Sequence, residues 1–356
     1  MKVLIIRLDH LGDLLLTTPL IRALAKAGHM VSVVAADGTA GALDGNPHLS
    51  AHWGISAICS GFPRGWTRLG AWMRQQRFDA ILLPHASPKE LLFASLGSGV
   101  KQRIAMLAGV WGRLTLHRCL RSRLEDEPEH MSDVIMRCGE ALGVDPQGRE
   151  LDFHVTDESR EWALRMCSQR FGSRCIVGIH PGCSGDTCNL PPAEYGRLAG
   201  LLLKRADIGI IVTGIASEKA LLAAWPRDVQ QSTRCWDSMG QLTLQQLAAL
   251  IQRMAALVSV GTGPLHLASA LRVRSVSPFC AYPPLSSAVW GNLGGLGEAV
   301  TPDPEFCRHR RKGPFDHCDF QGKITAEHLY ERVVGLLSSQ VEAKWGGLTR
   351  GNVAQL

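Results

Sequence analysis

The chain has 356 residues, 46% of them hydrophobic and 20% charged, which excludes an intrinsically disordered protein and leaves room for two domains of ordinary size. Its formal charge of +6, from 38 basic and 32 acidic residues, favours anionic substrates and is too small for a dedicated nucleic-acid binder. Arg7 and Asp9 interrupt the first apolar run, so no signal peptide is expected, and no uncharged apolar segment reaches the length of a bilayer span. The eleven cysteines are scattered, without a compact framework, and point to reduced thiols in a cytoplasm.

Residues 3–8, Val-Leu-Ile-Ile-Arg-Leu, predict a buried parallel strand, followed by a helix over 14–27 and a second strand over 31–35. This is a βαβ start, but Gly12 is the only glycine in its first turn, so a nicotinamide-dinucleotide site is not expected. Asp13 falls where strand gives way to helix, at the edge where α/β proteins bind ligands; it reads either as a helix cap or as a general base. Thr17 or Thr18, in the first turns of that helix, is placed to face the same edge.

From 62 to 78 the chain is basic and aromatic, with Arg64, Trp66, Arg68, Trp72, Arg74 and Arg77. Arginines beside aromatics grip phosphates or a sugar face, and they are equally normal on the solvated side of a helix. A strand is expected over 78–83, a helix over 89–96 and a short strand over 101–105. Arg113, His117, Arg118, Arg121 and Arg123 then read as a basic surface loop, and a helix over 130–142 ends at Gly143. Residues 147–157 are polar and irregular, as a linker would be.

The second half repeats the rhythm. Strands are expected over 175–179, 208–213, 257–260 and 274–279, with helices over 158–171, 193–204, 217–225, 244–254 and 324–339. Strands alternating with helices predict parallel sheets covered on both faces, an α/β fold with two such sheets in tandem. The tail from 340 to 356 contains glycine and lacks periodicity, and is expected to be flexible.

Three small-residue turns end strands in this half: Gly178-Ile179-His180-Pro181-Gly182-Cys183-Ser184, Thr213-Gly214-Ile215-Ala216-Ser217-Glu218, and Gly261-Thr262-Gly263-Pro264-Leu265-His266. The last joins strand, glycine turn and helix N-terminus, with Pro264 at a position where its missing N–H costs nothing. Such a turn offers outward N–H groups to a phosphate, and it is also an ordinary βα connection. Glu218 is a candidate partner for ribose hydroxyls or simply an acid in a first helical turn.

The pairing of Arg7-Leu8-Asp9-His10-Leu11-Gly12-Asp13 through Thr17-Thr18-Pro19 with Ser259-Val260-Gly261-Thr262-Gly263-Pro264-Leu265-His266 resembles the heptosyltransferases of lipopolysaccharide core assembly. His180-Pro181-Gly182 and Leu190-Pro191-Pro192-Ala193-Glu194-Tyr195 resemble that family's central motif, and the likeness runs from residue 1 to about 339. It implies two facing Rossmann-like domains in the glycosyltransferase-B arrangement: an acceptor-binding domain over 1–155 and a nucleotide-sugar-binding domain over 156–339. It further implies an inverting, metal-independent transfer of heptose or a related sugar from an ADP-sugar to the lipopolysaccharide inner core. Asp13 falls at the family's catalytic base. Thr262, Gly263, Pro264 and His266 fall at the donor diphosphate, with Gly261, Ser184, Thr187, Cys188, Glu218 and Leu242 around the donor. Gly12, Thr17, Arg64 and Arg68 are assigned to the acceptor side. No cofactor is implied, because the ADP-sugar is a substrate, and no Asp-X-Asp metal motif occurs. The expected partners are that nucleotide sugar and a lipid-linked core acceptor, with peripheral contact at the inner face of the inner membrane and no nucleic acid.

Two departures from the family pattern fall on the donor side. Gly261 stands where the family carries an acid before Thr-Gly, and Cys188 where it carries a base, with Leu190 in place of tryptophan. Losing a charge-assisted contact costs on the order of tens- to hundreds-fold in rate. The alternative function is therefore a catalytically weakened or non-catalytic relative that binds a nucleotide sugar. Cys307-x-His309 and His317-Cys318 bracket Arg308, Arg310, Arg311 and Lys312. Their content permits zinc, but the spacing matches no common finger and the positive charges oppose a cation, so the segment reads as a structural loop.

Overall fold

The computed structural model describes residues 1–59, 65–85, 89–106, 116–120, 128–185, 187–308 and 318–345. By its contacts the chain divides into two compact units: Met1–His154 with Ala288–Leu293, and Val155–Ser287 with Gly294–Leu356.

In the first unit, β1 (Lys2–Arg7) leads to a one-turn helix α1 (Leu11–Leu15), then α2 (Thr18–Lys26), β2 (Met30–Ala35) and β3 (Ala51–Gly54). Next come α3 (Gly65–Gln76), β4 (Ala80–Leu83), α4 (Lys89–Gly97), β5 (Gln102–Met106), β6 (Arg118–Leu120) and α5 (Met131–Glu140). The six strands form one parallel sheet in the order β3-β2-β1-β4-β5-β6. This is the doubly wound Rossmann order, and its direction of winding reverses between β1 and β4. Val3, Leu4, Ile5 and Ile6 of β1 are buried because both faces of a central strand are covered.

The single helix expected over 14–27 is two helices. Pro19 lacks the N–H that would bond back to the first turn, so the chain breaks at Leu16–Thr17 and Asp13 is left on its own short turn. The polar segment expected to be a free linker is held down. Buried Arg22 on α2 donates to both oxygens of Asp152 at 2.6 Å and to the Glu150 carbonyl at 2.7 Å, while the Asp152 N–H donates to the Thr18 hydroxyl.

The second unit runs α6 (Asp157–Phe171), β7 (Cys175–His180), α7 (Pro192–Leu203), β8 (Ile208–Val212), β9 (Cys235–Asp237), α8 (Leu244–Ile251), β10 (Ala256–Ser259), α9 (Gly263–Ala270), β11 (Ser275–Pro278), β12 (Gly297–Val300) and α10 (Ala326–Trp345). Its sheet has the order β12-β11-β10-β7-β8-β9, again all parallel. Counted from β7 this is the same Rossmann order, with the reversal between β7 and β10. Helix α6 packs on α8 and α10 on α7, and the Glu194 carboxylate of α7 accepts the first N–H of α10.

Several expectations differ from the structure. Residues 216–224 form a 3-10 helix, Ala216–Ala224, in place of an α-helix. Arg118 lies on strand β6 and is not in a loop. Helix formers without glycine carry α10 to Trp345, past the expected start of the tail at 340; the rest of that tail lies outside the described residues. Among the described residues, no helix is long and apolar enough to cross a membrane.

Candidate functional site at the carboxyl edges of the two sheets

In an open parallel sheet, ligands bind at the carboxyl ends of the strands where the winding reverses. In the first unit that place is the end of β1. Arg7, its last residue, is only 1% exposed, and its Nη2 donates to Asp13 Oδ1 at 2.7 Å. Arg7 Nε lies 3.2 Å from Asp9 Oδ2 but is not aligned for a hydrogen bond, and Nη1 has no partner among the described residues. A buried guanidinium thus holds Asp13, whose side chain is 17% exposed, in a fixed orientation with part of it open to solvent. The group pairs one positive with two negative charges. Such an arrangement presents an oriented, accessible carboxylate, as a general base requires.

Gly12 is buried beside it. Thr17 does not present its hydroxyl to a ligand: it is fully buried, and Oγ1 donates to the Asp13 carbonyl at 2.9 Å, which braces the turn carrying the carboxylate. Arg68 stands on the exposed side of α3, opposite buried Leu69 and Met73. Arg64 lies outside the described residues.

In the second unit the reversal lies between β7 and β10, where His180 pairs in register with Ser259. Burial pushes the His180 imidazole down to about 4, so the ring is neutral at physiological pH; its Nδ1 is 3.0 Å from the Thr213 hydroxyl. The turn after β7 is braced by Asn189, whose Nδ2 donates to the Pro181 carbonyl at 2.8 Å while its Oδ1 accepts from the buried Tyr195 hydroxyl at 2.7 Å. Sequence reasoning gave Asn189 no role; an asparagine just ahead of Leu-Pro-Pro was the available signal.

Glu218 accepts the Ile215 N–H at 2.9 Å, and its carboxylate is wedged against two turns. A Cβ on Gly182 would fall 2.0 Å from its Oε1, and one on Gly214 2.9 Å from its Oε2. The acid in the first helical turn is therefore a brace between the β7 and β8 turns, committed to the backbone. Ser184 is exposed and Thr187 half-buried in the turn after β7, and Leu242 is half-buried in the loop leaving β9.

The turn after β10 is built as the sequence suggests. Thr262 is the extended N-cap of α9, and its side chain makes no capping bond. The Leu265 and His266 N–H groups donate to the Thr262 carbonyl, Pro264 has none, and the Gly263 N–H has no acceptor among the described residues. That leaves the positive end of the helix dipole available to an anion. His266 is 2% exposed, on the inward side of the helix with Pro264. Gly261 is needed for space: a Cβ there would come 2.8 Å from Cε1 of the buried Phe279 ring. The acid expected at this position is excluded by an aromatic side chain from the loop after β11.

Cys188 corrects the sequence reading. It is 2% exposed and packed in the hydrophobic core, so it does not line a donor site.

With this geometry in place, the model of glycosyltransferase family 9 (heptosyltransferase) matches residues 66–310, more than half of the chain. The chain belongs to glycosyltransferase family 9. Among solved structures, a family 9 glycosyl transferase from Veillonella parvula aligns with a TM-score of 0.76 at 18% identity, covering 95% of this chain and 98% of that one. The E. coli ADP-heptose lps heptosyltransferase II aligns at 0.74 and 20% identity over 96% and 100%, and E. coli heptosyltransferase WaaC with ADP at 0.64 and 15% over 95% and 98%. A search of the curated proteins gives no match. The α/β fold of this chain is therefore that of the heptosyltransferases, and family membership makes it a glycosyltransferase. The family match takes in the turns at His180, Thr213 and Thr262; Asp13 precedes it, and its case rests on its place at the end of β1.

Proposed function

We propose that the protein is an inverting glycosyltransferase that moves heptose, or a related sugar, from an ADP-sugar to an inner-core lipopolysaccharide acceptor. Asp13 takes the proton of an acceptor hydroxyl as that oxygen forms its bond to the anomeric carbon, and the bond from that carbon to the diphosphate breaks on the opposite face, releasing ADP. The charge developing on the diphosphate is met by the Gly263 N–H and the dipole of α9. His180, neutral, adds no positive charge, so its part is to shape the turn. Arg7 orients the base. No metal is assigned a part in the transfer.

The observation that carries this reading is a contrast between equivalent strand ends. Two sheets of the same strand order bear an arginine-held carboxylate at one switch point and an N–H-lined, uncharged turn at the other. The net charge of +6 favours a phosphorylated acceptor at an anionic membrane surface. The test is ADP release from ADP-heptose with a truncated core acceptor. Acceptor-dependent release is expected; ADP-heptose that binds without release, or that does not bind at all, would overturn the proposal.

A second reading has its own observation. The Phe279 ring against Gly261 takes the place of a polar donor contact, as expected of a relative that binds a nucleotide sugar without turning it over. In that case ADP-heptose at 100 times its Kd stabilises the protein by about 2.7 kcal/mol while no ADP appears.

A further inference from the structure

Four cysteines of the second unit have no part in the transfer proposed above. Cys188 lies in the segment between β7 and α7, Cys280 follows β11, Cys307 follows β12, and Cys318 opens the stretch leading to α10. Three of them are buried and the fourth is half-buried. Their thiols meet. Sγ of Cys280 is 3.8 Å from Sγ of Cys307. Cys188 is buried in the same cluster, Cys318 packs against it, and the Asn189 N–H donates to the Cys318 carbonyl at 3.0 Å, so that the Cys188 thiol neighbours those of Cys280 and Cys318. Cys307 is in turn close enough to Cys318 to feel its charge. All four are free thiols.

Buried cysteines often serve as small apolar residues, and that use explains their burial. It does not explain why sulfurs from four separate chain segments converge. Nor does it explain the backbone around them: the Tyr282 N–H donates to Cys280 Sγ at 3.3 Å. Amide donors aimed at sulfur favour the thiolate and are the usual outer support of metal–thiolate sites. A zinc–sulfur bond of about 2.3 Å in a tetrahedron sets neighbouring sulfurs about 3.8 Å apart.

We infer that Cys188, Cys280, Cys307 and Cys318 form a four-thiolate site for a structural zinc ion. Among the described residues no group of three or more His, Cys, Asp or Glu already stands arranged to hold an ion. The sulfurs instead form a row, Cys318–Cys188–Cys280–Cys307, that must close by rotation of side chains. On closure each thiol that still carries a proton gives it up to solvent, and four zinc–sulfur bonds form. One dication with four thiolates carries a charge of −2. Four protein ligands leave no open position, which makes the site a clamp and not a catalyst. It ties the segment after β7 to the loop after β11, whose Phe279 packs on Gly261. It also accounts for a cysteine at position 188, where the family carries a base.

The test is elemental analysis of the full chain, purified with reductant and without chelator or metal-affinity resin. About one zinc per chain is expected, falling at least tenfold in Cys280→Ser and in the Cys188→Ser/Cys318→Ser double variant, and retained in Cys167→Ala, a buried thiol outside the group. Should the serine variants not fold, the wild-type chain stripped of metal and titrated with cobalt(II) is expected to give the intense absorption of tetrahedral cobalt–thiolate. Sub-stoichiometric metal together with no cobalt–thiolate absorption overturns the site, and stoichiometric iron in place of zinc overturns the assignment of the ion.

Discussion

The two sheets share one strand order and differ in what they place at the point where it reverses. Near the end of β1 stand three ionisable side chains, Arg7, Asp9 and Asp13, with both carboxylates beside the one guanidinium. At the ends of β7 and β10 stand a neutral histidine, threonines and glycines, with the backbone as the main donor. On the proposed function, the same scaffold serves proton transfer at one edge and anion binding at the other. Fold and function separate here: strand order fixes where a ligand goes, and the loop residues fix what chemistry it meets.

The largest effect should come from breaking the charged edge. Arg7→Met leaves two carboxylates without their partner. Because those carboxylates are partly exposed and can rehydrate, a loss of about 3 kcal/mol is expected, at the low end for a buried pair. Denaturant unfolding measures it, and transfer should fall roughly 100-fold as the base loses its orientation.

Gly182→Ala probes the backbone edge. The added carbon meets the Glu218 carboxylate at 2.0 Å, so destabilisation of about 1–3 kcal/mol and weaker ADP binding are expected. The Gly182→Ala/Glu218→Ser double variant should recover part of the loss in a double-mutant cycle. Strict additivity would mean that the two residues do not share the space.

His180 gives a pH signature that the charged edge lacks. Its native value of about 4 lies below its unfolded value of 6.5. Between those limits the unfolded chain binds more protons, so stability falls as pH drops from 6.5 towards 4 and is level above 6.5 from this group. The contribution is about 3 kcal/mol in size, and that loss is reached only as the pH nears 4. His180→Asn, which keeps a partner for Thr213, should flatten that part of the unfolding profile.

The smallest effect is expected at Arg68. Exposed on α3, Arg68→Ala should change stability by no more than about 0.5 kcal/mol, with any effect confined to KM for the acceptor.

Most of the eight inner strands of the two sheets were readable as apolar runs buried on both faces; β5 and β11 carry polar residues and were placed by the alternation of strands with helices. The four edge strands, β3, β6, β9 and β12, were not, because short hydrated edges such as Gly297-Glu298-Ala299-Val300 carry no such run. The positions of Asp13 and of the Thr262 turn, each at a strand-to-helix transition, were readable; the roles given to them are proposals. Thr17 and Glu218 were misassigned because a sequence shows that a polar group is present and not which backbone group it already serves. Cys188 was misread for a related reason. Its neighbours Cys280 and Cys318 come from distant loops, and only the folded sheet brings them to it.

The most direct measurement is a paired one on Asp13→Asn: ADP-heptose affinity by calorimetry and acceptor-dependent ADP release under single-turnover conditions. A base that belongs to the acceptor side predicts unchanged donor affinity with transfer slowed roughly 100- to 10,000-fold. Unchanged transfer, or donor affinity lost along with it, would contradict the division of labour between the two sheet edges.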